Sequence, residues 1–450
     1  MKRQIAGLSA LFVLGVGRVG MAGQATSGSL APQEHVGHAA AEGPPLTLKA
    51  ALDEALARNF DLAALQEQIQ VARERPRQER SLAPPMLEGT IWQWPIHSIN
   101  PANTNMYMFM VGQDLPGRGK RELRAAVAET DITLAQTDVS IRTRQIVNEV
   151  KQAYALLFIA RKATEIHLAN VELLRQIADV SQTKYATGRI SQQDVLKPIV
   201  ELSKLHGDLL MFEEQAGMAA ARLNVLLARS PESPIGPLTE PTEQTGLPAP
   251  PELQRFALDH QPELQRAHVE IERAEAELAS AKQENKPDFS VQGGYMLLPN
   301  QTDGWLGRVG ITWPSAPWSR DKITAHIAEQ VAASAAARAR ERAMQNMVRL
   351  AVQEACVRAT SAQQRAALLR TTILPQAQQT LDVSRIAYQT DRVDFQAVID
   401  NQRALLDAQL GYVRALSEFE QASADLERAV GAELPAVTTA SVSRRAGGLR

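Results

Sequence analysis

Cysteine is nearly absent from this 450-residue chain; Cys356 is the only one. A disulfide framework and a thiolate metal cluster are therefore excluded, and Cys356 reads as a small buried residue. Aromatic residues make up only 4%, and the charges nearly cancel, with 48 Lys plus Arg against 50 Asp plus Glu. That balance lacks the electrostatic footprint of a nucleic-acid binder and argues against a phosphate site. Beyond the N-terminal region there is no long uncharged apolar run, so helical membrane spans are excluded and any insertion into lipid must use strands. Also missing are a glycine-rich phosphate loop after a strand, a nucleophile elbow and a His/Cys/carboxylate cluster with metal-site spacing. The expectation is a protein that is not an enzyme, with no cofactor and no metal centre among its His, Cys and carboxylate residues.

What is present begins with Lys2 and Arg3, an apolar stretch from Leu8 to Val16, and small residues around Ala22 and Ala25. This is the three-part plan of a secretory signal peptide, placed at 1–25. No cysteine stands near the cleavage region to accept a lipid. Residues 26–46 are small, polar and proline-bearing, and read as a flexible leader.

The rest of the chain repeats itself. Leu62, Pro85, Leu87, Lys120 and Tyr185 recur as Leu264, Pro287, Phe289, Lys322 and Tyr388. Two structural repeats are expected, at 47–229 and 252–431, joined by a proline-rich linker at 230–251 and followed by a disordered tail at 432–450. Each holds an amphipathic helix, a hairpin, a very long helix, a tip and a returning helix. The first helix is expected from Leu48, capped by Thr47, to about Ser81, with Leu48, Leu52, Leu56, Ala63 and Ile69 apolar and Pro84 and Pro85 beyond its end.

The hairpins are expected at 86–115 and 288–313. Their runs alternate, carry β-branched and aromatic residues, and flank loops containing Asn and Pro. Leu87 and Ile91 fall on one side with Phe289, Val291 and Tyr295, and Glu88, Thr90, Ser290 and Gln292 on the other. That is the apolar-out, polar-in alternation of a membrane barrel. All five tryptophans, Trp92, Trp94, Trp305, Trp313 and Trp318, lie in or beside these hairpins. Tryptophan favours the boundary of lipid and water, so Trp92, Trp94, Trp305 and Trp313 are candidate interface residues; a soluble hairpin with tryptophan as core is the alternative.

Long helices are expected at 120–186 and 322–387, each about 100 Å long. Ile146, Val150, Ala153, Leu157, Ala160, Thr164, His167, Val171, Leu174 and Ala178 form a coiled-coil seam of alternating four and three spacing. Its counterpart runs through Val348, Val352, Ala355, Ala359, Ala362, Ala366, Leu369 and Ile373. The tips fall at 187–191 and 390–394. Gly188 suits the positive φ of a helix end, Ser191 with Asp194 makes a capping box, Asp394 caps the last helix and Gly431 ends it.

Four strands cannot close a membrane barrel, and open edges are not tolerated in lipid, so the chain must share a wall with identical copies. The residues that complete the picture are Leu46-Thr47-Leu48 with Ala51-Leu52, and the tip from Tyr185 to Ser191 followed by Asp194-Val195-Leu196. With the duplicated layout, these resemble the TolC-like outer-membrane efflux proteins over nearly the whole mature chain. The stretch from Leu115 to Arg121 looks most like the heavy-metal efflux branch.

That resemblance implies a mainly α fold with a small β part: a homotrimer with a 12-stranded transmembrane β-barrel continuous with a periplasmic α-helical barrel. The implied function is an outer-membrane exit duct fed by an inner-membrane RND-type pump through a periplasmic adaptor. A type I protein secretion or drug efflux channel is the alternative within the class, and a periplasmic coiled-coil adaptor or scaffold the alternative outside it. Family tips carry a Val-Gly-Leu-like step that receives the adaptor; the matching residues are Thr187, Gly188 and Arg189, then Thr390, Asp391 and Arg392, of which only Gly188 is kept. Asp400, with Asp194, is the implied aperture and selectivity residue, while Ala397 replaces a second acid found in some members.

Histidine offers no metal site: His35 and His38 fall in the leader, His167 in the seam and His260 beside the linker. Met106, Met108 and Met110 share the strand face assigned to the lumen. Thioethers suit Cu(I) or Ag(I), and methionine in a strand equally serves packing.

Overall fold

The computed structural model describes residues 44–240, 246–299, 301–390 and 392–434. The expected signal peptide, residues 26–43 of the leader with His35 and His38, Asp391 of the second tip, and residues 435–450 of the tail lie outside the described residues.

Helices dominate. The order is α1 (Leu48–Arg58), α2 (Phe60–Arg80), β1 (Met86–Trp92), β2 (Met106–Leu115), α3 (Lys120–Ala186) and α4 (Gln192–Leu226). The same order of elements then follows in α5 (Pro250–His260), α6 (Pro262–Gln283), β3 (Asp288–Leu297), β4 (Gly304–Thr312), α7 (Arg320–Leu368), a π-turn (Leu369–Ile373), α8 (Leu374–Gln389) and α9 (Phe395–Val430).

The single helix expected from Leu48 to Ser81 is two helices. Asn59 leaves the helical region, with φ −69° and ψ 122°. Its side chain accepts from the N–H groups of Asp61 at 2.9 Å and Leu62 at 3.2 Å, capping α2. A short polar side chain offers the backbone an alternative to helical bonding, and here it takes it. At the corresponding break between α5 and α6, Gln261 is extended and Pro262 starts the next helix.

At 67 residues, α3 is about 100 Å long. Its expected seam is the buried stripe: Ile146, Val150, Ala153, Leu157, Ala160, His167, Val171 and Leu174 are all buried, with Thr164 and Ala178 partly so. His167 serves this packing; its Nδ1 lies 3.1 Å from the Ala163 carbonyl and its ring 4.7 Å from that of Phe212.

In α7 the seam from Val348 to Ala366 is buried as expected, but Ile373 is 37% exposed. Beyond that point the apolar stripe continues at Leu374, Ala377, Leu381 and Tyr388, one residue later than its rhythm predicts. The π-turn lies at this shift. Lys322 to Tyr388 spans one residue more than Lys120 to Tyr185 (66 against 65 steps), and a turn bonded i→i+5 absorbs that residue without breaking the helix.

The three largest apolar clusters among the described residues hold much of the helical part together. Ile146, Val150 and Leu157 of α3 pack with Leu223 and Leu227 at the end of α4 and with Leu46 and Ile235, while α1 adds Ala51 and Ala55. The Tyr154 hydroxyl lies 2.9 Å from the carbonyls of both Leu46 and Thr239, pinning the segment after α4 onto α3. Leu253, Val348, Val352, Cys356, Leu426 and Val430 form a second cluster, in which Cys356 is buried and free of disulfide. A third, toward the tips, joins Leu174, Leu205, Leu381, Phe395 and Leu405.

Candidate functional site: a sheet with one apolar face and a pair of tips

The strands form one antiparallel sheet in the order β1-β2-β3-β4, so the two hairpins pair through β2 and β3. Register decides the faces. Leu87 stands beside Val111, Gly89 beside Phe109 and Ile91 beside Tyr107. The rows continue through Leu115 beside Phe289, Phe109 beside Tyr295 and Tyr107 beside Leu297. They close with Phe289 beside Ile311, Val291 beside Val309 and Tyr295 beside Trp305. Apart from glycines and Gln113, this face is wholly apolar or aromatic, and Leu87, Phe109, Val309 and Ile311 are 59–79% exposed on it. The opposite face carries Glu88, Thr90, Asp114, Asp288, Ser290, Gln292 and Arg308.

The aromatics mark two levels. Trp92, Trp94 and Trp305 sit at the loop end of the sheet, Trp305 edge-on to Tyr295 at 5.4 Å, and Trp313 sits at the helix end, 6.3 Å from Trp318. Trp305 and Trp313 are eight residues apart on one strand line, about 26 Å. Trp92 pairs with Met106 and so falls on the polar face at the strand end, while Trp305 falls on the apolar face.

Below the sheet, the chain turns from strand to helix through Pro116-Gly117-Arg118-Gly119. Gly119, with φ +87°, caps α3 in the left-handed region where L-residues with a Cβ are strained. A Cβ on Gly117 would lie 2.6 Å from the Pro287 carbonyl oxygen. This closeness lets the Gly117 N–H donate to Asp288 at 2.7 Å, while the buried Lys120 ammonium reaches the same carboxylate at 2.8 Å. The joint ties β2 and α3 to β3. The recurrence of Lys120 as Lys322 was its only sequence signal, and Lys322 itself is exposed.

At the far end the first tip closes as a Schellman turn. Gly188, with φ +73°, donates to the Tyr185 carbonyl at 2.8 Å, and the Arg189 N–H reaches the Lys184 carbonyl at 3.0 Å. In the second tip, the Arg392 N–H makes the matching bond to Ala387 at 2.8 Å. The Ser191 hydroxyl and N–H both donate to the Asp194 carboxylate, at 2.9 and 3.4 Å, and Asp394 caps α9 through the Ala397 N–H at 3.0 Å. An open cleft between the tips is lined by Arg189, Ser191, Asp194, Arg392, Asp394 and Phe395.

The two tips also differ at their tyrosines. Tyr388 is buried, edge-on to Phe395 and 3.0 Å from the Ser181 hydroxyl, with the Lys184 ammonium 4.2 Å over its ring. Its counterpart Tyr185 is 46% exposed.

Asp400 stands exposed on α9, one turn past the tip. It accepts from Gln396 at 2.9 Å and lies 3.6 Å from Arg403. Arg403 spends its fork on Glu201 of α4, Nε to Oε1 at 2.8 Å and Nη2 to Oε2 at 2.5 Å, and Lys204 is 3.4 Å from the same carboxylate. The Arg403 hydrogen bond holds the Glu201 carboxyl below its ordinary range, and Glu201 in turn raises Arg403. Sequence reading singled out Asp400 but not this strap between α4 and α9.

Among the described residues, no group of three His, Cys, Asp or Glu side chains is placed to hold a metal ion, and no helix is long and apolar enough to cross a membrane.

Residues 51–229 match the model of the outer membrane efflux protein family. The chain is 24% identical over 399 residues to the cobalt-zinc-cadmium resistance protein CzcC of Cupriavidus metallidurans, covering 86% of this chain and 90% of that one. Its fold is similar to that of CusC, with a TM-score of 0.72 at 17% identity over 86% of this chain and 92% of the other. The outer membrane protein VceC of Vibrio cholerae is similar to the same degree, with a TM-score of 0.72 at 17% identity over 86% and 97%.

Proposed function

We infer that this chain is an outer-membrane efflux protein, the exit channel of a tripartite efflux system. The observation that carries the inference is the sheet. A continuous apolar face has aromatics at both ends, about 26 Å apart along the strand; at the strand tilt of about 40° usual in membrane barrels that is about 20 Å of height, comparable to the outward band of about 25 Å between aromatic girdles. Four strands leave two open edges, which lipid does not tolerate. Three copies would supply twelve strands and close the wall, with α3, α4 and α7–α9 of each copy continuing it as a helical tunnel. The two repeats, 47–229 and 252–431, would then alternate around the axis, joined by the 230–251 linker.

The arrangement calls for two further copies of the chain and outer-membrane lipid, and the resemblance to efflux proteins implies a periplasmic adaptor and an inner-membrane pump of RND type. The adaptor would dock on the tips at Thr187, Gly188, Arg189, Thr390, Asp391 and Arg392. Similarity to a cobalt-zinc-cadmium resistance protein favours divalent metal cations as cargo. Asp400 would face the narrow end of the tunnel, where a three-fold ring of carboxylates favours cations. Asp194 contributes there chiefly by fixing the start of α4.

The test is fractionation followed by conductance. The full chain is expected to remain in the outer membrane after carbonate washing, to run as a trimer in detergent, and to form pores in planar bilayers. Release by carbonate would instead match the adaptor or scaffold alternative and remove the channel.

A further inference from the structure

Sulfur is concentrated on the polar face of the sheet. In register, Thr90, Met108 and Met296 form one row across β1, β2 and β3. Met110 lies in the next row toward the helices, between Glu88 and Gly294, and Met106 lies beside Trp92 in the next row toward the loops. Directly opposed positions hold their Cβ atoms about 5 Å apart. Same-face neighbours along one strand are about 6.6 Å apart. A methionine side chain, with three rotatable bonds, spans either gap.

The strands prepare places for these side chains. A Cβ on Gly294 would lie 2.8 Å from Cγ of Met110 and 2.6 Å from the Phe109 carbonyl oxygen, so Met110 lies over the space that glycine leaves and is only 6% exposed. A Cβ on Gly304 would lie 3.2 Å from Cε of Met296. Among the described residues the strands pack chiefly on one another, so these methionines sit in the spaces the glycines leave rather than in a core layer beneath a helix.

We propose that Met108, Met110 and Met296, with Met106 adjoining them, form a thioether site for a soft monovalent cation, Cu(I) or Ag(I). Thioether sulfur is a soft, neutral donor that selects such ions over harder divalent ones. The Glu88 carboxylate, in the row of Met110, adds negative charge beside the sulfurs. The ion binds through sulfur lone pairs and changes neither its oxidation state nor that of the protein. Only the position of the site inside a lumen rests on the proposed channel; the ligand set stands on the sheet register.

The test is titration of the full chain, purified in detergent in a Cys356→Ser background so that the thiol cannot compete. Ag(I) is followed by calorimetry, and Cu(I) by anaerobic competition against a chromophoric chelator. Both are expected to bind, and the combined variant Met108→Leu, Met110→Leu and Met296→Leu is expected to weaken binding by about tenfold or more. A control variant, Met347→Leu on α7, should bind as the parent does. No binding by the parent, or equal binding by the triple variant, overturns the site. Bilayer conductance is measured on the same samples: silver binding that the triple variant loses, in a parent that forms no pores, upholds the site and removes the channel instead.

Discussion

Lys120 and Asp288 stand 168 residues apart in the chain and meet at 2.8 Å where the sheet gives way to the helices. Lys120 is buried, and Asp288 also receives the Gly117 N–H, so one carboxylate holds the start of α3, the end of β2 and the start of β3 together. Asp288→Asn would leave the ammonium with a weaker, neutral acceptor. A loss of about 1–3 kcal/mol is expected, as for hydrogen bonds to charged groups. Detergent melting of Asp288→Asn, Lys120→Met and the double variant checks it; if the pair matters, the double variant is less destabilised than the two single effects added together.

The face assignment is tested by neighbouring residues on β3. Val291 belongs to the apolar face and Gln292 to the polar one. Val291→Arg is expected to cost about 2–4 kcal/mol in a strand of the proposed barrel, while Gln292→Glu, directly opposite Arg308, is tolerated. The amount of folded protein recovered from the outer membrane measures this, and equal recovery of the two variants would refute the assignment.

In the proposed channel, Asp400→Ala is expected to weaken cation selectivity and block by multivalent cations in single-channel recordings. Arg403→Gln should do the reverse, since it frees Glu201 and Asp400 from their shared cation. Arg403 also lowers the Glu201 carboxyl, so its stabilising contribution is present above the ordinary carboxylate pKa and is lost as pH falls through the lowered value. Loosening of the contact between α4 and α9 on acidification is therefore expected in the parent and reduced in Arg403→Gln, with hydrogen exchange over 192–204 as the readout.

Glu420 provides the opposite pH dependence. Burial between α3 and α9 pushes its carboxyl to about 7, against the partly offsetting charge of Lys151. A raised carboxyl pKa means that the unfolded chain releases its proton first. Stability therefore falls as pH rises from about 4.5 to about 7, by about 3 kcal/mol in all, and is level above that. Glu420→Gln is expected to remove this slope and to melt higher than the parent at pH 8. Melting temperatures from pH 5 to 8 decide it.

Much of this architecture is legible in the sequence. The α3 boundaries, the strand alternation and the Ser191, Asp394 and Gly431 helix ends follow from periodicity and cap chemistry, which act over a few residues. The match of residues 51–229 to the outer membrane efflux protein model, which includes the Tyr185–Ser191 tip, agrees with the family resemblance read from the sequence. The break at Asn59 was not legible, because an asparagine inside an apolar rhythm is as consistent with a solvated helix face as with a cap. Nor were the Lys120–Asp288 joint, the Glu201–Arg403 strap or the alignment of Met296 with Met108. Each joins residues separated by many positions, and only strand register or helix packing brings them together.

The single surplus residue taken up between Leu369 and Ile373 has a mechanical consequence. One residue turns an α-helix by about 100°, so an unabsorbed insertion would rotate everything beyond it and carry Tyr388 out of its socket beside Phe395. The wide turn acts as a phase corrector. It lets one column carry an extra residue yet arrive at its reversal with its buried edge still aligned with its neighbours.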